Sequence, residues 1–222
     1  MKRKVIETED GSSTILVEAW GESFHSIHGA IQEAQLVYIE NGLRFVFQKN
    51  IEQIHILEIG FGTGLNCFMT FIESEKNQKK IFYTGVEGFP LQEDEWSSLN
   101  YQRFFDPNYE SKFSLLHQKD WEKENMISSD FSLMKKQLMF ENIDFENQFD
   151  LVYFDAFGFQ FQPELWSESI FTKIKKAMKP NGVLVTYACK GEVNRTLKKL
   201  GFKIEKLQGP PGKREMTRAI LI

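Results

Sequence analysis

The sequence predicts a doubly wound α/β fold: a mostly parallel sheet with helices on both faces, an antiparallel strand pair at its C-terminal end, and an N-terminal extension over residues 1–50. Three observations predict it. From Ile54 onward, short apolar runs alternate with helix-like segments, the rhythm of a parallel sheet buried on both faces. The first of these runs ends in Glu58-Ile59-Gly60-Phe61-Gly62-Thr63-Gly64, a glycine turn leading from a strand into a helix. The last two runs, Phe202–Leu207 and Met216–Ile222, are joined only by Gln208-Gly209-Pro210-Pro211-Gly212-Lys213-Arg214, too short for a helical crossover, so they must pair antiparallel.

The elements follow in order. Ser13–Trp20 reads as a strand, Gly29–Val37 as the start of a helix, and Leu43–Gln48 as a second short strand. No Pro- or Ser-rich linker divides this extension from residues 51–222, which hold the main domain. Ile54–Gly60 is the first core strand. Leu65–Ser74 has apolar residues at helical spacing, and Ile81–Glu87 is the second core strand. Pro90–Leu99 suits a short helix with Pro near its first turn. Phe113–His117 is expected as strand three, ending just before Asp120, with one or two inserted helices in residues 121–148. Phe149–Asp155 is strand four, Pro163–Met178 an amphipathic helix, Val183–Ala188 strand five, and Glu192–Leu200 a basic helix stopped by Gly201.

Composition bounds the function. No apolar run approaches the ~18 residues of a membrane span, and the N-terminus lacks the apolar core of a secretory signal. Two distant cysteines, Cys67 and Cys189, argue against a disulfide framework or zinc site and fit a cytoplasmic protein. No metal site is expected; His25 and His28 have no set of further ligands at suitable spacing. The net charge of −4 conceals an asymmetry: residues 173–222 hold 13 Lys or Arg against 3 Asp or Glu, a net +10, leaving −14 on the 172 residues before them. A basic lobe on an acidic body suggests a polyanionic partner.

The glycine turn narrows the ligand. No Lys follows Gly64, which excludes a P-loop, and Leu65 stands where a dinucleotide fingerprint has its third glycine. An acid at Glu58 would repel a pyrophosphate but attract a sulfonium and an ammonium, the charges of S-adenosylmethionine. The turn resembles motif I of the class I methyltransferases, a Rossmann-like variant of the doubly wound sheet. Glu87 ends strand two, where a carboxylate accepts from ribose hydroxyls. Asp120 is expected at the adenine amino group. Lys179-Pro180-Asn181-Gly182 resembles the turn before strand five in that superfamily. Asp155, ending strand four, stands where an acid can hold an amine acceptor and take its proton.

Taken together, E-I-G-F-G-T-G-L-N, G-V-E-G-F-P-L, F-D-A-F followed by Q-P-E-L-W, and the late G-K-R-E-M resemble the MnmC-like methyltransferases, a likeness that reaches back to Phe24-His25-Ser26. The resemblance implies methylation of the amine of 5-aminomethyl-2-thiouridine at the tRNA wobble position, with S-adenosylmethionine as donor. It implies cofactor contacts at Glu58, Gly60, Gly62, Gly64 and Glu87, an acceptor site at Asp155, and a matching K-R-E-M at Lys213 and Arg214. With Phe157 as a stacking platform for a splayed anticodon base, these residues are expected to meet tRNA. One departure is the missing Pro after Asp155, where Gly158 and Phe159 stand. No flavin oxidase domain is expected in this chain. His25 and Ser26 are expected as lid residues. A small-amine methyltransferase and a non-catalytic RNA-binding module are the alternative readings.

Overall fold

The computed structural model describes residues 2–222. Its first strands, β1 (Arg3–Glu7), β2 (Ser13–Val17) and β3 (Glu22–Ser23), form a separate antiparallel sheet. A single helical path follows: α1 (Ala30–Ala34), a π-helical stretch (Gln35–Leu43) and α2 (Arg44–Phe47). The expected strand at Leu43–Gln48 is therefore helical. Leu43 and Val46 are its fully buried positions, a spacing of three, whereas Leu43, Phe45 and Phe47 had suggested alternation. Gly42 lets this helix lie on the sheet, since a Cβ there would come within 2.9 Å of Val185 and 3.2 Å of Tyr153.

The main chain then runs β4 (Gln53–Ile59), α3 (Leu65–Asn77), β5 (Lys80–Glu87), α4 (Glu93–Trp96), α5 (Glu110–Gln118), β6 (Glu124–Met126), β7 (Phe131–Gln137), β8 (Phe149–Phe154), α6 (Glu168–Ala177), β9 (Met178–Thr186), α7 (Gly191–Lys199), β10 (Phe202–Gln208) and β11 (Glu215–Leu221). The eight-stranded sheet has the order β10-β11-β9-β8-β4-β5-β7-β6. Its five central strands are parallel; β11 lies antiparallel between β9 and β10. The helix of residues 30–47, α3 and α5 pack one face, and α6 and α7 the other, giving two apolar cores. Gly201 ends α7 with φ +94°, the left-handed stop expected of it.

Strand three is the main difference. Phe113–His117 lies in α5, with Phe113 and Leu116 buried one turn apart. A short apolar run is ambiguous between strand and helix. The strand itself is β7, in the stretch where inserted helices were expected. Its inward positions are Phe131, Leu133 and Lys135. The inward lysine hid the alternation: Lys135 is 1% exposed, donates to the His117 carbonyl at 2.7 Å and lies 5.1 Å from the centre of the Trp121 ring. Desolvation lowers its pKa to about 8.

The chain builds β4, β5 and β7 outward in one direction and then returns to place β8 on the opposite side of β4. That reversal opens a crevice at the carboxyl ends of β4 and β8, where ligands of doubly wound sheets bind.

Candidate active site

Two cavities meet at this crevice. The first, about 550 Å³, is lined by the glycine turn, Asn66, Glu87 and Asp155, with Trp20 and Phe24 from the N-terminal segment. The second, about 720 Å³, is lined by Glu33, Tyr187, Lys190, Lys213 and Arg214. Phe24, His25, Ala156 and Phe157 belong to both walls.

Gly60, Gly62 and Gly64 have φ of +91°, +49° and +72°, a region that favours glycine. They also permit close packing. A Cβ at Gly60 would lie 2.5 Å from the Asp155 carbonyl, so glycine there lets the ends of β4 and β8 approach. A Cβ at Gly62 would meet Phe24 at 3.1 Å, and one at Gly64 would meet His117 at 2.9 Å. Thr63 between them is held from two sides: His117 Nε2 lies 3.0 Å from its carbonyl and His25 Nε2 lies 3.3 Å from its hydroxyl. Desolvation lowers both histidines to about 4, so both are neutral at pH 7. His25 thus anchors the N-terminal segment to the turn; its Nδ1 is 3.0 Å from Thr14 Oγ1. Ser26 lines the second cavity and its amide donates to Glu33.

Glu87 ends β5 and accepts from the Gly62 amide at 3.0 Å and the Phe89 amide at 2.9 Å, one on each oxygen. A carboxylate offers about four acceptor positions, so each oxygen retains capacity for a ligand hydroxyl.

Glu58 and Asp155 differ sharply in access. Glu58 is 0% exposed and does not itself line the cavity. Desolvation raises its pKa well above the usual carboxylate range. Its link to the cavity is Asn66, whose Nδ2 donates to Glu58 Oε1 at 3.0 Å and to Asp155 Oδ2 at 2.9 Å. Asp155 does line the cavity, and desolvation raises it to about 7. The Tyr38 hydroxyl faces Asp155 but falls short of hydrogen-bond geometry.

Asp120 is not brought to either cavity. It follows α5 rather than a strand, and its side chain is exposed and paired with Lys123 at 3.0 Å. The corresponding strand end is that of β7, where Met139, Phe140 and Glu141 line the first cavity. Phe157 lies on the shared wall, edge-on to Trp20 and Phe24 at 5.3 and 5.0 Å. Lys213 turns inward: it pairs with the buried Glu33 and sits 3.8 Å from the centre of the Tyr187 ring. Arg214 is exposed on the rim of the second cavity.

Sequence reasoning quoted Asn66 without assigning it a role, and missed Trp20, Tyr38, Met139 and Phe140. Trp20 lies on a turn, Tyr38 on the helix of residues 30–47, and Met139 and Phe140 just past the end of β7, the strand that sequence reasoning misplaced. No group of three or more metal-binding side chains occurs among the described residues.

The family model of S-adenosyl-L-methionine-dependent methyltransferases matches residues 110–222, half of the chain. The chain belongs to this family. Within it the methyltransferase is MnmC-like. It is 31% identical over 210 residues to the tRNA 5-methylaminomethyl-2-thiouridine biosynthesis bifunctional protein MnmC of Campylobacter jejuni subsp. doylei, covering 89% of this chain and 33% of that protein. The protein of the same name from Aromatoleum aromaticum is 26% identical, covering 95% and 34%. The methyltransferase therefore spans about a third of the length of the curated relatives it matches. The crystal structure of MnmC2 from Aquifex aeolicus superposes with a TM-score of 0.82 and 26% identity, covering 100% of this chain and 70% of that one. Spermidine synthase from Thermotoga maritima shares the fold alone, at a TM-score of 0.58 and 12% identity.

The first cavity fits the family's donor. Glu87 has spare acceptor capacity for ribose hydroxyls, and Met139 and Phe140 offer apolar surface for a base. The buried Asn66 Oδ1 has no partner among the described residues, so it can accept from a donor's ammonium.

Proposed function

We propose that the protein transfers a methyl group from S-adenosylmethionine to the primary amine of 5-aminomethyl-2-thiouridine at the tRNA wobble position, giving 5-methylaminomethyl-2-thiouridine. The observation that carries this reading is Asp155: a carboxyl near pKa 7 that lines the donor cavity and directly precedes Ala156 and Phe157, which line both that cavity and a second one with a basic rim. The printed names of the relatives supply the nucleoside.

Bound in the first cavity, S-adenosylmethionine supplies an electrophilic methyl on a sulfonium. The chain's residues do the rest. Glu87 holds the ribose hydroxyls while its existing bonds to the Gly62 and Phe89 amides keep the carboxylate oriented. Met139 and Phe140 cover the base. Asp155 accepts a hydrogen bond from the acceptor amine and takes the proton, because an alkylammonium has no lone pair with which to attack. Fixing the amine at Asp155 also aligns it for in-line displacement. Phe157 stacks on or beside the splayed pyrimidine, as recognition of unstacked RNA bases requires.

The basic lobe acts selectively in this reading. Seven of its Lys and Arg residues are in ion pairs, including Lys176, Lys179, Lys199, Lys206 and Lys213. Lys190 and Arg214, both exposed, have no such pair among the described residues and border the second cavity; they neutralise anticodon phosphates. Lys213 instead holds Glu33 beside Asp155.

The experiment is mass spectrometry of digested tRNA carrying 5-aminomethyl-2-thiouridine after incubation with protein and donor. A gain of one methyl on that nucleoside is expected. No gain, with transfer to free alkylamines, would replace the RNA acceptor by a small amine.

A further inference from the structure

We propose that Asn66 is a positioning residue for Asp155, its carboxamide locked between the Asp155 carboxylate and the buried acid Glu58. The inference rests on the reading above for what Asp155 does; the geometry itself is independent of the acceptor.

Asn66 is the second residue of α3 and is 3% exposed. An amide nitrogen carries two hydrogens. Here one is given to Glu58 Oε1 at 3.0 Å and the other to Asp155 Oδ2 at 2.9 Å. Both donors are used, so the carboxamide cannot rotate without losing a buried bond. The opposite amide orientation would turn a carbonyl oxygen on two carboxyl groups, so the network itself assigns the orientation. The two acids need different charge states for this to work. Glu58 lies wholly within the sheet, where a carboxylate would be costly, and a neutral acid still presents a carbonyl oxygen to Asn66. Only Asp155, which reaches the cavity, carries the titrating charge. Its Oδ2 is held by Asn66, and Oδ1 has no hydrogen bond among the described residues, so it is left to meet an amine.

The groups facing Asp155 come from five elements: Glu33 of α1, Tyr38 of the π-helical stretch, Glu58 of β4, Tyr187 after β9, and Lys213 before β11. Glu33 and Lys213 pair with each other, so much of their influence on Asp155 cancels. Asn66 is then the neutral donor that favours the carboxylate.

The test is a carbon-13 NMR titration of the Asp155 carboxyl in the full chain without added ligand, assigned by its loss in Asp155→Asn. Wild type is expected to titrate near 7. Asn66→Ala removes a hydrogen bond to the charged form, so the midpoint should rise by about one unit. The isosteric Asn66→Asp should raise it further, because a second carboxyl then faces the first. It also decides the matter if the alanine variant does not fold. An unshifted midpoint in either folded variant overturns the proposal, since a purely structural role for Asn66 would not move it. The titration needs no acceptor, so it is unaffected if wild type fails to methylate RNA. In the transfer assay with the acceptor that wild type uses, at saturating donor, kcat should fall at least tenfold with little change in the KM for the acceptor; an unchanged kcat would also overturn the proposal.

Discussion

The two cavities that meet at Phe24, His25, Ala156 and Phe157 are built differently. The first is framed by the ends of β4, β5 and β8 and by the glycine turn, with its acids held by backbone amides and by Asn66. The second is framed by β3 and the loop after it, the turn after β8 and the loop before β11, with cations on its rim. Rigid strand ends suit an invariant small ligand such as the methyl donor, and loops with exposed cations suit a larger polyanion. Asp155 lines the first, one residue before the shared wall of Ala156 and Phe157.

That division predicts which substitution affects which function. Asp155→Asn keeps the shape and removes the proposed base. Single-turnover methyl transfer should fall about 10²–10⁴-fold, while the affinities for donor and tRNA, each measured by calorimetry, should change little. Glu87→Ala acts on the first cavity alone: donor affinity should fall about tenfold or more, for a lost pair of charge-assisted bonds, with tRNA affinity unchanged. A parallel loss of tRNA affinity would join the two cavities into one site. Arg214→Ala and Lys190→Ala act on the second cavity. Each should reduce the salt dependence of tRNA binding, by roughly one in the slope of log K against log salt per phosphate contact removed, and leave donor binding as it was. An unchanged slope would remove that residue from the RNA interface.

The smallest effect concerns the brace at Thr63. His25 and His117 have folded-state pKa values lowered to about 4, from about 6.5 in an unfolded chain. The unfolded state therefore binds protons first as pH falls. Stability from these two groups is complete above pH 6.5 and is lost progressively down to about pH 4. Thermal melts from pH 7 to 4 should show this decline, and His117→Gln should flatten part of it. A decline of the same size in the variant would mean that other groups cause it.

Much of this architecture was legible in the sequence, for physical reasons that also explain the failures. The strands β4, β5, β8 and β9 are apolar runs buried on both faces, and the short link before β11 forces an antiparallel return. Glycines at Gly60 and Gly64 marked the turn because their positive φ favours glycine and a Cβ there would press on the Asp155 carbonyl and on His117. The misplaced strand three came from a single buried cation, Lys135, inside β7, whose stabilising partners are the His117 carbonyl and the Trp121 ring from distant segments. That error displaced Asp120 from the site. Glu58 and Lys213 were recognised as charged residues near the ligand, but charge alone does not say whether a side chain faces a cavity or the core. Glu58 is enclosed by the sheet, and Lys213 is drawn inward by Glu33, 180 residues away in sequence. Asn66 was invisible for the same reason: its role depends on two acids that the fold brings to one side-chain nitrogen.

The central claim is that donor and acceptor meet at Asp155. It is tested most directly by single-turnover transfer with Asp155→Ala, using tRNA bearing 5-aminomethyl-2-thiouridine and saturating donor, under conditions where calorimetry shows both ligands bound. The account predicts a ternary complex that forms and transfers essentially no methyl to the nucleoside. Transfer at the wild-type rate from that complex would contradict it.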